Sequence, residues 1–352
     1  MTLLTTRKMD PALAARVEAS VRGTRRPGGA RVTPRVVALA RVVAIALVVT
    51  VYLVVASVRR RELEETERVR KALLDAVRAP AAKVTAEDEA SLARAESWLT
   101  RLAGPYDGDA VDATMKHGPG AFHALFSRPT LYVRGPIAAF TKVASIAAVA
   151  SESVKDALVL CLRSAPPSFD EAAIFSAVRD PQPDGSSIAA RTPDVHRLHD
   201  AEVGLPFLMP RWSERVRTAD GLEELEALRR DLERAPLEEA ARAARARLLL
   251  VAMDEPDDGG GVAEPAAPDG ERAHPVRVAL VDLDADRILF RVRVGVDPSF
   301  LSPAHRAEYA RAMDSCLLAM RARQIVGESS LPAFSPPLSP PLSPPFSPHF
   351  SP

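Results

Sequence analysis

His196 and His199 stand three residues apart, with Asp194, Asp200 and Glu202 beside them. On a helix that interval puts two imidazoles on one face, and imidazole with carboxylate is a donor set that zinc accepts. His117 and His123 flank Gly118-Pro119-Gly120 but have no matched nucleophile, so a hydrolytic centre is not expected there. Asp282, Asp284 and Asp286 have the spacing of a calcium loop. Arg287 occupies the position where such a loop needs glycine, and Arg293 the position of the bidentate glutamate, so the run reads as a turn. Gly259-Gly260-Gly261 follows no strand-to-helix pattern and lacks the Lys-Ser/Thr of a phosphate loop. Cys161 and Cys316 are the only cysteines, both in apolar surroundings. They would behave as small buried hydrophobes, or bridge if the domain lies in an oxidising compartment. The expectation is no cofactor and no metal, with His196 and His199 as the metal candidates and Cys161 and Cys316 as the disulfide candidates. No catalytic residue can be assigned.

Helices dominate the elements that must position these groups. Glu62 to Arg78 carries Leu63, Val69, Leu73, Leu74 and Val77 on one side and stops at Pro80. A second helix opens near Thr85, where Asp88 stands in for the usual Glu or Gln of a capping box, and runs to Gly104. Residues 104–136 are rich in Gly and Pro and show no period. Pro136 to Ser151 reads as a buried helix, being too short and too interrupted by Lys142 to be a second span. Asp220 and Glu223 form a capping box before Leu222, Leu225, Leu228 and Leu232. Pro236 opens a successor, and Ser302-Pro303 opens the last helix. Arg287 to Val296 alternates as a strand, with Ile288, Phe290, Val292, Val294 and Val296 on one face and Arg291 and Arg293 on the other. Val276–Leu283 makes a hairpin with it through Asp284-Ala285-Asp286. Leu248–Met253 is a third strand and Ala157–Leu162 a fourth. The pattern predicts an α+β domain, helix-dominated, with a small, mainly antiparallel sheet over residues 62–325. Residues 254–275 form a loop whose composition favours disorder.

Ahead of this domain lies an apolar run from Val36 to Val58, interrupted by charge only at Arg41. A hydrocarbon core about 30 Å thick needs about 20 helical residues, so residues 36–58 are expected to span a bilayer. Val54-Val55-Ala56 resembles a cleavage site, but Arg59-Arg60-Arg61 follows at once, and a retained signal anchor is the better reading. Basic residues near the span number six before it and seven after it, so they do not set the orientation. Exporting the 35-residue N-terminal tail would carry eight basic groups across. The reading adopted is therefore N-terminus cytoplasmic and C-terminal domain periplasmic, in a bacterial inner membrane.

The net charge of zero conceals an asymmetry: residues 1–61 carry 12 basic and 2 acidic side chains. This arm, with a disordered tail over 1–35, reads as a solvated flank that anionic headgroups attract. Nucleic acid is not an expected partner, because no recognition motif accompanies the charge. At the other end, residues 329–352 are low in complexity. Phe334, Leu338, Leu342, Phe346 and Phe350 recur every four residues, each before Ser-Pro. Such a segment favours polyproline II and could offer apolar-anchored ligands to an aromatic groove.

The absence of asparagine and the excess of arginine over lysine suggest a high-GC genome. Leu131-Tyr132-Val133-Arg134-Gly135-Pro136, His196-Arg197-Leu198-His199-Asp200 and Val296-Asp297-Pro298-Ser299 together make the chain similar to uncharacterised single-pass membrane proteins of high-GC bacteria. That resemblance implies no activity, cofactor or catalytic residue. The function expected is a membrane-anchored, non-enzymatic envelope protein whose partners are the bilayer and another protein or a wall component. The alternative is an anchored enzyme with a dispersed site in 104–136 and 194–202. A cytoplasmic-facing regulator would need the opposite topology. Oligomeric state is not fixed by anything in the sequence.

Overall fold

The computed structural model describes residues 34–116, 120–179, 182–256, 273–296 and 300–327. Outside them lie the basic tail, His117, Gly259-Gly260-Gly261 with most of the 254–275 loop, Asp297-Pro298-Ser299 and the Ser/Pro tail. The chain divides after Glu67 into two units.

The first unit contains most of helix α1 (Pro34–Ala81). Among the described residues this is the one helix long and apolar enough, by length and composition, to cross a membrane, and its most apolar window is wholly unburied. Leu47 is 66% exposed and Tyr52 71%. The polar groups on it turn back to the helix itself: Thr50 Oγ1 donates to the Ala46 carbonyl and Ser57 Oγ to that of Val54, both at 2.8 Å. In an apolar solvent these hydroxyls would leave no unmet hydrogen bond.

The second unit is built on six strands: β1 (Ala110–Val111), β2 (Thr130–Pro136), β3 (Val195–Arg197), β4 (Leu248–Asp254), β5 (His274–Asp282) and β6 (Arg287–Val296). Their order is β1-β6-β5-β4-β2-β3. β2 pairs in parallel with both β3 and β4, while β4-β5, β5-β6 and β6-β1 are antiparallel. The sheet is mixed, which corrects the mainly antiparallel expectation; the mixed α+β class and the dominance of helix stand. The missing information was β2. Its Leu131-Tyr132-Val133 core is too short to show a period, and it sits inside the segment read as irregular. Ala157–Leu162 is another correction, being helix α5 (Ala157–Arg163) and not a strand. A run of six apolar residues that is buried all round has no periodicity to tell helix from strand. The cap decides it: the Asp156 carboxylate accepts the Leu158 N–H at 3.1 Å.

The remaining helices are α2 (Ala86–Leu102), α3 (Ala121–Leu125), α4 (Val143–Glu152), α6 (Glu171–Val178), α7 (Ile188–Arg191), α8 (Leu198–Leu208), α9 (Pro210–Thr218), α10 (Leu222–Glu233), α11 (Leu237–Ala244) and α12 (Pro303–Val326). Strand alternation divides them between two faces. Tyr132, Leu250, Val278, Leu280, Phe290 and Val292 pack against α5, α6 and α12. Leu131, Val133, Leu249, Val251 and Val281 pack against Trp98 and Leu99 of α2, Ile146 and Val149 of α4, and Leu198 of α8. A register shift between Leu280 and Val281 breaks the alternation of β6. Ile288 therefore packs with the α2 face, away from Phe290, Val292 and Val294. A third cluster is wholly helical, joining Leu73 and Val77 of α1 to Trp212 and Val216 of α9 and Leu225 and Leu228 of α10. Arg70 clamps it by donating to the carbonyls of Val216 and Ala219 at 3.2 and 2.9 Å, at the end of α9.

The capping box of Thr85 and Asp88 is present. The one expected at Asp220 is not: Gly221 is the N-cap of α10, and the Asp220 N–H donates to Glu224. Helix α8 lies so close to α11 that a Cβ on Gly204 would collide with that of Ala240.

Candidate functional site

Among the polar clusters of the second unit, two bear on a candidate site. The first takes in the sequence-predicted segment 194–202. His196 is the middle residue of edge strand β3, opposite Leu131 of β2, whereas His199 is in the first turn of α8. They do not share a helix face. Among the described residues no group of three or more His, Cys, Asp or Glu is arranged to hold a metal ion. His123 is exposed in the short helix α3, and His117 is outside the described residues.

What the segment does gather is a set of groups that burial drives towards neutrality. Burial, followed by the charge of Lys155, lowers the His196 pKa to about 4. Lys155 is itself pushed down by burial, although Asp200 opposes this, and its ammonium donates to the Val195 carbonyl at 3.0 Å. Burial raises Asp200 despite Arg197 at 3.8 Å. Glu202 departs as far as His196, in the opposite direction: burial, then the charge of Glu96 on α2, lifts it to about 7. Glu96 is raised by burial too. The Oε2 of Glu202 and the Nδ1 of His199 are both buried without a hydrogen-bond partner among the described residues. Burial and the charge of Glu96 thus bring the Glu202 carboxyl to where it can gain or lose a proton near neutral pH.

The second cluster was not singled out from the sequence. Tyr132 and Arg134 share a face of β2, and Asp254 closes β4 beside them. The Arg134 guanidinium, 8% exposed, meets Asp254 at 2.8 Å, Asp156 at 3.2 Å and the Ser315 hydroxyl of α12 at 2.7 Å. Asp156 also accepts the Tyr132 hydroxyl at 3.0 Å, and His274 Nε2 lies 3.2 Å from Asp254. Burial pushes the Asp254 carboxyl up, but His274 and Arg134 outweigh it and hold it below the usual range. Burial and Asp156 keep Tyr132 protonated, well above its ordinary value. Two carboxylates thus face one guanidinium, with His274 placed to bring a second positive charge when protonated. The cluster sits at the carboxyl ends of parallel strands, where α/β sheets place ligand sites. Its sequence signal was a charge closing each of two apolar runs, Arg134 after Leu131-Tyr132-Val133 and Asp254 after Leu248–Met253.

Next to Ser315, Cys316 forms a disulfide with Cys161, tying α12 to α5. Of the three aspartates of the β5-β6 turn, Asp282 builds the turn, while Asp284 pairs with Arg247 at 3.5 Å and Asp286 reaches α2. Asp282 accepts the N–H groups of Asp284 and Ala285, and Asp286 accepts the Trp98 indole at 2.7 Å.

Comparison of the chain with protein-family models, with curated proteins and with solved structures gives no match.

Proposed function

We propose that this is a membrane-anchored, non-enzymatic bacterial envelope protein, with a cytoplasmic N-terminus and a periplasmic domain that binds another protein or a wall component. The observation that carries the reading is the apolar stretch of α1, which none of the described residues covers. Uncovered apolar surface of that length calls for lipid. The Cys161–Cys316 disulfide supports the placement of the domain, because structural disulfides persist in oxidising compartments.

A full-length chain carrying alkaline phosphatase, or a green fluorescent reporter exported unfolded, after Pro352 tests both halves. Phosphatase activity without fluorescence is expected, together with retention in the membrane after alkaline carbonate washing. Fluorescence without phosphatase activity would refute the periplasmic placement, and release by carbonate would refute the anchor. Co-sedimentation with purified wall sacculi, compared with cross-linking to envelope proteins, then separates the two kinds of partner.

A further inference from the structure

The two sulfurs of the bridge are sealed inside the second unit. Cys161 and Cys316 are each 0% exposed, and the chain has no other cysteine. Leu158 and Leu162 of α5 and Leu317 and Met320 of α12 belong with them to one buried cluster against the sheet. Polar contacts close the same seam on both sides of the bridge. Before it, Ser315 donates to Asp156 at 3.2 Å and accepts from Arg134 at 2.7 Å. Beyond it, Arg323 donates to the Leu162 carbonyl. Thiol–disulfide exchange needs a thiolate to reach a sulfur directly, so it does not proceed while this seam is shut. One of the two helices must therefore be away when the bond forms. α5 lies between β2 and β3 in the chain, and those two strands pair with each other. α12 follows all six strands, so it can be unseated without breaking a strand pairing.

We propose that Cys161 and Cys316 are the substrate of a thiol–disulfide exchange oxidant, a partner protein carrying a reactive disulfide, which acts before α12 seats on α5. The thiolate of one cysteine attacks the oxidant's disulfide, forming a mixed disulfide and releasing one of the oxidant's thiols. The second cysteine attacks the mixed disulfide, which closes the Cys161–Cys316 bond and releases the other. Two protein thiols are oxidised, the oxidant's disulfide is reduced to a dithiol, and the two protons pass to the oxidant's sulfurs. α12 then seats and shields the product. The order of events rests on burial; the compartment of the oxidant rests on the envelope reading.

Full-length protein purified in detergent tests the order, with free thiols counted by gel shift after alkylation with a polyethylene glycol maleimide. Dithiothreitol should reduce the bridge at least about a hundredfold more slowly in the native protein than in guanidinium, because exchange waits for an opening. Oxidised glutathione should likewise act on the reduced chain about a hundredfold more slowly after refolding than in denaturant. Similar rates in either comparison would overturn the proposal, and should the reduced chain fail to refold, the first comparison decides it. The partner is tested in a bacterial host by acid-trapping newly made chains, with and without the host's thiol–disulfide exchange oxidase. Oxidised chains are expected with the oxidase and mainly reduced ones without it. Oxidised chains in both would overturn the exchange partner, whereas reduced chains in both would overturn the periplasmic placement.

Discussion

Glu202 is a partly buried carboxyl whose ionisation bears on the stability of this fold. Its carboxyl titrates near 7 in the folded protein, against 4.5 ordinarily, because burial and Glu96 both disfavour its charge. Between those two values the folded state binds more protons than the unfolded one, so its contribution to stability declines as pH rises from about 4.5 to about 7. Glu202 is not fully enclosed, and solvent screening reduces the effect to about 1 kcal/mol. Glu202→Gln removes the titration while keeping an acceptor oxygen. Urea midpoints measured from pH 5 to pH 8 should therefore fall with pH in the wild type and stay flatter in the variant, which becomes the more stable of the two above pH 7. Parallel curves would show that the carboxyl does not titrate in this window.

At the scale of elements, Arg134 is the shared fastener. It joins β2 to the end of β4, to the N-cap of α5 and to α12 through a single guanidinium. Removing one partner from a buried ionic cluster leaves the opposite charges uncompensated, which costs about 3–5 kcal/mol. Arg134→Met keeps much of the volume and removes the charge, so a loss of that size is expected in chemical denaturation. A loss below about 1 kcal/mol would mean that water reaches Asp156 and Asp254 and pairing contributes little. The cluster also explains why β2 was hard to read. Its apolar core is short, and the charged residue that ends it resembles a surface position until Asp156, Asp254 and Ser315 are brought around it from 22, 120 and 181 residues away.

For the whole molecule, the Cys161–Cys316 bridge spans 155 residues and fastens α12 to α5 on the same face of the sheet. Closing a loop of that length restricts the unfolded chain, and the usual worth of such a bridge is about 2–4 kcal/mol. A Cys161→Ala/Cys316→Ala variant should melt at a lower temperature than the oxidised wild type, and strong reductant should lower the wild type to match it. Equal melting in all three conditions would mean that the packing around α12 holds by itself. What the sequence determined alone were features written in contiguous residues: the apolar run over 36–58, the Thr85–Asp88 cap, the amphipathic helices and the β5-β6 hairpin. In each, neighbours along the chain supply the physics, whether as hydropathy, a cap or a turn. Only the tertiary structure decided the parallel pairing of β2, the helical state of Ala157–Leu162, the separation of His196 from His199 and the gathering of charges at Arg134. Each of those depends on which distant segment removes water from a side chain or completes its hydrogen bonds, and local spacing carries no record of that.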